Sequence, residues 1–311
     1  MIIFCTVLVL ILYANLVSTD IEDLTEQHEK VAYGYSYHEP DEYPFFVSLQ
    51  EKYPSSTTGY RHFCGGSLIG RQIVVTAGHC VEDEDDIDEI RILPNYRNSP
   101  FIEEWDLTFK ISRYVIHPYY MRSNNVSKND IAVILMDQPD PRPRATIRLP
   151  ITETVPLCEP VTLIGFGLIE TGVLPDELRS AVLFRLTDEM CNHYNFPGDF
   201  TPVLDLCTAN AIGSGVCNGD SGGPLIRKLG NNSYLQGVAT NSADECGIDP
   251  ITNFVNVPQY LTFINAAMVL LTRDELKSNQ NEYVQHSMDS NDSNMTNEMA
   301  ELNSFIVSLE H

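Results

Sequence analysis

Between Val31 and about Leu271, short apolar and β-branched runs alternate with turns rich in Gly, Pro, Asn and Asp. Phe45-Phe46-Val47-Ser48-Leu49, Ile73-Val74-Val75-Thr76 and residues 131–135, 161–164 and 234–240 are such runs. Each is too short for a helix of several turns, and β-branched residues pack best on a pleated surface, so each predicts a strand. Many short strands at this spacing predict an all-β sandwich or barrel. One segment has a different period. Val257, Tyr260, Leu261, Ile264, Met268 and Leu271 recur at steps of three and four, the stripe of an amphipathic helix docked on the core, with Pro258 suited to its first turn.

The flanks have another texture. The first 17 residues, MIIFCTVLVLILYANLV, are apolar and short for a bilayer span, and small residues follow them. Residues 1–18 therefore read as a secretory signal peptide, with an uncleaved anchor as the alternative. Residues 19–30 are acidic, end in Glu29-Lys30 and read as a propeptide. A folded domain is expected over 31–272. From 273 to 311 the chain is acidic, poor in aromatics and without a sustained period, which predicts a disordered tail.

Composition narrows the function. With 43% hydrophobic and 20% charged residues among 311, wholesale disorder is excluded. Nineteen Lys and Arg against 43 Asp and Glu give a net charge of -24, which repels phosphate backbones and anionic lipid surfaces. Neither nucleic acid nor, after signal removal, a membrane is an expected partner. A secreted, extracellular location favours disulfides among Cys64, Cys80, Cys158, Cys191, Cys207, Cys217 and Cys246. There is no CxxC pair and the eight histidines are scattered, so no metal and no cofactor are expected. The acidic run from Glu82 to Glu89 lacks a glycine turn and reads as a solvated loop rather than a calcium site. Asn125, Asn231, Asn291 and Asn294 begin N-glycosylation sequons.

Three segments each carry one reactive polar group beside an apolar run: Thr76-Ala77-Gly78-His79-Cys80, Asn129-Asp130-Ile131-Ala132 and Gly219-Asp220-Ser221-Gly222-Gly223-Pro224. A serine hydroxyl is a poor nucleophile unless an imidazole takes its proton and a carboxylate fixes that imidazole's tautomer. Ser221, His79 and Asp130 are groups of those three kinds.

In that order and with those flanks, the segments resemble the chymotrypsin-like (trypsin family) serine endopeptidases, whose TAGHC, NDIA and GDSGGP signatures they match. The likeness runs from about Val31 to Leu271 and includes Phe63-Cys64-Gly65-Gly66-Ser67-Leu68-Ile69, Ile116-His117-Pro118 and Gly165-Phe166-Gly167, where the family usually has Trp between the glycines. It implies two antiparallel six-stranded β-barrels with a C-terminal helix. His79 would be the general base, Asp130 its orienting partner and Ser221 the nucleophile, with the N–H groups of Gly219 and Ser221 as the oxyanion hole. Cleavage after Lys30 would free Val31 to pair with Asp220.

By the same resemblance Cys64 pairs with Cys80, Cys191 with Cys207 and Cys217 with Cys246. Cys158 is left as a free thiol or an intermolecular link, because the family's fourth bridge would need a cysteine near Arg227. Gly215 falls at the floor of the specificity pocket, where relatives that cut after Lys or Arg carry Asp. Ser242 and Thr252 fall on its walls, and Thr240 takes the usual Ser position beside Asp130. A chymotrypsin- or elastase-like preference follows, unless Asp244, Glu245 or Asp249 reaches into the pocket. The expected partners are polypeptide substrates, an activating protease and proteinaceous protease inhibitors. The rival reading is a catalytically silent homologue acting as a binding or adaptor protein.

Overall fold

The computed structural model describes residues 35–36, 42–56, 59–96, 107–123, 126–142, 146–150, 155–157, 159–169, 172–194, 200–209, 216–240 and 251–273. The expected signal and propeptide, Val31, Cys158, Gly215, Ser242, Cys246 and the tail beyond residue 273 lie outside them.

Fifteen short strands account for the described architecture. β1 (Tyr35–Ser36) stands apart from the first barrel, which is built from β2 (Phe46–Lys52), β3 (Tyr60–Leu68), β4 (Ile73–Thr76), β5 (Arg91–Pro94), β6 (Phe109–Ile116) and β9 (Ala132–Met136). These close in the order β2-β3-β4-β9-β6-β5. A hairpin of β7 (Met121–Ser123) and β8 (Val126–Lys128) projects between β6 and β9. The second barrel holds β10 (Pro160–Gly165), β11 (Arg179–Arg185), β12 (Asp205–Ala209), β13 (Pro224–Leu229), β14 (Asn232–Ala239) and β15 (Ile251–Asn256). Its order is β11-β10-β13-β14-β15-β12, closed by the β11–β12 pairing, with β1 added at the outer edge of β11. The expected pair of antiparallel six-stranded barrels is present.

Side-chain period explains the strands. On β11, Ala181 and Leu183 are buried while Val182 and Phe184 between them are 45% and 37% exposed, the alternation of a strand with one face inward. The inward residues join Val161, Leu163, Leu225 and Phe254 in the second core. On β9 every residue from Ala132 to Met136 is buried, so its apolar run is continuous rather than alternating. β9 lies between β4 and β6, with both edges and both faces covered.

The expected terminal helix is present, but its entry is tighter than the stripe suggests. Val257–Tyr260 form a 3-10 turn with Pro258 at its start, and 261–268 continue as helix, burying Ile264 and Ala267. The missing N–H of proline costs nothing in a first turn. The chain divides into two compact units, 1–268 and 269–311; both barrels lie in the first, and in the second residues 269–273 are helical. Among the described residues no helix is long and apolar enough to cross a membrane.

Candidate active site

Strand register brings the first two polar groups together. Thr76, the last residue of β4, pairs with Ala132, the first of β9. His79 lies three residues after one and Asp130 two before the other, so both leave the barrel at the same end. His79 occupies a 3-10 turn, Gly78–Cys80. Its Nδ1–H donates to Asp130 Oδ2 at 2.7 Å, and its backbone N–H donates to Oδ1 at 2.9 Å. Asp130 is 1% exposed, and both its oxygens are spent on one residue. That arrangement fixes the tautomer, leaving Nε2 as the basic nitrogen at the 15%-exposed face of His79.

Ser221 sits on the turn that leads into β13. Its carbonyl accepts the Gly65 N–H at 2.7 Å, and the Gly222 N–H donates to Ala239 O at 2.7 Å. Gly219 and Gly222 hold φ of +103° and +77°, which a side chain would strain. At Gly222 a Cβ would also lie 2.2 Å from Thr76 Oγ1, so the turn carrying Ser221 rests directly on the segment leading to His79. Thr76 Oγ1 donates to Gly65 O at 2.8 Å, and the neighbouring Cys64 is bonded to Cys80. The serine and histidine turns are thereby stitched through Gly65, Thr76 and one disulfide. Thr240 is 9% exposed and follows Ala239, the acceptor of the Gly222 bond.

Asp220 points away from solvent. It is fully buried, and its Oδ1 and Oδ2 accept the N–H groups of Gly167 and Cys217 at 2.7 Å and 2.9 Å. Burial pushes its carboxyl up to about 6 despite those two bonds. A Cβ on Gly167 would come 2.2 Å from the carboxylate, so the glycine belongs to the cradle. Phe166, in place of the usual Trp, packs against Phe46, Tyr96 and His62 beside it.

Two contributors escaped the sequence reading. His62 had no assigned role, yet its Nε2 lies 2.8 Å from Gly219 O and its Nδ1 2.8 Å from Ser48 Oγ. A carbonyl can only accept, so Nε2 carries the proton and Nδ1 accepts from Ser48. Burial lowers this imidazole to about 4, keeping it neutral. The only hint in the sequence was the alternation that turns His62 and Cys64 inward on β3. Val216 was also missed. Its N–H reaches Thr252 Oγ1 at 3.4 Å, and the two side chains are 4% and 6% exposed.

The Cys191–Cys207 bridge is present as expected, and Cys217 is disulfide-bonded, its expected partner Cys246 being outside the described residues. The one metal-type cluster among the described residues is Cys64, His79 and Cys80, where the disulfide consumes both thiols. In the acidic run, Glu82 accepts from Tyr120 and Arg122, and Glu89 pairs with Lys52 at 2.6 Å. Part of that run is thus tied down rather than merely solvated.

Comparison with known proteins agrees with this architecture. The family model described as Trypsin matches residues 33–264. The chain is 35% identical over 236 residues to human chymotrypsin-like elastase family member 3A, covering 73% of this chain and 82% of the relative. It is also 35% identical over 195 residues to human chymotrypsin-like elastase family member 3B, covering 60% of this chain and 68% of that one. With the double barrel, a His–Asp dyad at one barrel end and this match over most of its length, the chain belongs to the trypsin family of chymotrypsin-like serine peptidases.

Proposed function

We propose that this chain is a secreted serine endopeptidase, made as a zymogen and activated between Lys30 and Val31. The observation that carries the reading is the 2.7 Å bond from His79 Nδ1 to buried Asp130, beside a serine turn stitched to the same segment. In the proposed reaction Ser221 Oγ attacks the scissile carbonyl and gives its proton to His79 Nε2. The carbonyl oxygen becomes an oxyanion facing the N–H groups of Gly219 and Ser221, where one donor is worth roughly 3 kcal/mol. The imidazolium then protonates the leaving amine as the C–N bond breaks, leaving an acyl-enzyme on Ser221. A water molecule reverses the sequence: His79 takes its proton, the acid product leaves, and Ser221 regains its hydrogen.

Non-tryptic specificity is part of the proposal. Thr252, expected on the wall of the pocket, accepts the Val216 N–H beside the expected floor, which supports a narrowed site that admits small or medium apolar side chains. The elastase names of both relatives point the same way. Gly215 as the floor would give a guanidinium no carboxylate to replace its water.

The test uses processed protein and a fluorophosphonate. Labelling that disappears in Ser221→Ala is expected; a correctly processed wild type that takes no label would favour the adaptor reading. Specificity constants on matched peptides ending in Ala, Leu, Phe and Arg should rank Ala or Leu first. Dominance of the Arg peptide would reject the assignment of the pocket.

A further inference from the structure

Asp130 is held from outside the dyad as well as within it. Asn129 has φ of +49°, and the Ile131 N–H donates to Asn129 O at 2.9 Å, so Asp130 is the middle residue of a tight turn. Asn is among the few side chains that tolerate this left-handed region. Both ends of the Asn129 amide are engaged. Nδ2 donates to Tyr119 O at 2.9 Å, and Oδ1 accepts from Tyr260 Oη at 3.1 Å.

Those partners come from opposite halves of the fold. Tyr119 follows β6 of the first barrel, whereas Tyr260 ends the 3-10 turn that follows β15 of the second. His117 seals the junction. Its N–H donates to Ile131 O at 3.0 Å, and its ring packs edge-on to Tyr260 and Phe263 with centroids 5.3 Å and 4.8 Å away. Tyr260 is 3% exposed, and burial raises its pKa, so the hydroxyl stays a donor.

We propose that Asn129 and Tyr260 form a clamp that sets the position of Asp130, making the His79–Asp130 geometry depend on the seating of the C-terminal turn against the first barrel. The inference rests on the peptidase reading above. Both are positioning residues, and neither touches substrate. The physical reason is leverage. Asp130 uses Oδ1 and Oδ2 on two donors of the same residue, so a small rotation of the 129–131 turn cannot keep both bonds. Pinning the preceding amide at two points, one per barrel, removes that rotation. The bland alternative is that Tyr260 only fills the core with its ring.

Tyr260→Phe separates the two, because it keeps the ring against His117 and deletes one O–H. In activated enzyme, kcat should fall about tenfold, the rate equivalent of one hydrogen bond, while KM stays within about twofold. The far-downfield proton resonance of His79 Nδ1 should shift. Asn129→Gly accepts the positive φ but loses both side-chain bonds, and it should lower kcat further. Adding Tyr260→Phe to Asn129→Gly should cost nothing more, since both act on one link. Unchanged kcat and an unmoved resonance in both variants would overturn the clamp, as would rate losses that merely track the folded fraction in thermal melts. If wild type neither hydrolyses peptides nor takes the fluorophosphonate, the peptidase reading fails, while the resonance still reports on the clamp by itself.

Discussion

Asp220 carries a carboxyl where water does not reach, and two backbone N–H groups are its partners. Its folded-state value of about 6 lies above the unfolded 3.8, so the folded state holds the proton more tightly. As pH rises from about 4 to about 6 the unfolded chain sheds its proton first, and stability falls through that window by an amount on the order of 3 kcal/mol. In the uncleaved chain, urea unfolding of Asp220→Asn should therefore lack a downward slope that wild type shows. Parallel pH profiles would contradict this. The same imbalance gives the proposed Val31 ammonium its purpose, because a cation reaching Asp220 would remove the penalty. His62, lowered to about 4, contributes no charge above that range, which suits a fixed donor to Gly219 O.

At the level of elements, the second barrel is braced where the family resemblance would place a bridge. Arg227 on β13 donates through Nε and an Nη to the two carboxylate oxygens of Glu159, just before β10, at 2.7 Å each. The two side chains are 15% and 25% exposed, so solvent screens the pair only partly. The β10–β13 ladder pairs Thr162 with Ile226 and Leu163 with Leu225, and the ion pair extends that contact outward. Arg227→Ala should destabilise by about 1–3 kcal/mol, because it strands a partly desolvated carboxylate. Arg227→Lys should recover only part of that, since an ammonium cannot make the planar two-point contact. A double-mutant cycle with Glu159→Ala measures the coupling; a value near zero would make this an ordinary surface pair.

The whole molecule depends on two barrels being held in register with one another. The Gly65 N–H of the first barrel reaches Ser221 O at the mouth of the second, and Lys128 Nζ crosses to Thr201 Oγ1 at 2.8 Å. Activation is proposed to act at this scale, through a segment far in sequence from Ser221. Secreted Lys30→Gln, verified intact at its amino terminus, should show activity lower by about a hundredfold or more, the value of one oxyanion donor. Full activity in the intact variant would refute the zymogen mechanism.

The strands were legible because burial imposes a period of two on short runs, and that pattern needs no knowledge of the partner strand. Ile73–Thr76 and Pro160–Gly165 fall where the apolar runs lie. The chemical types at positions 79, 130 and 221, and the pairing of Cys64 with Cys80 and Cys191 with Cys207, were likewise readable through motif and resemblance. What the sequence could not express is proximity across long separations. The register of Thr76 with Ala132 decides that His79 meets Asp130. Packing of one barrel against the other brings His62 to Gly219 and Tyr260 to Asn129, 157 and 131 residues away. A lone histidine or tyrosine carries no mark of such a partner in its neighbours. Only the folded chain, in which most buried polar groups find a partner, chooses one.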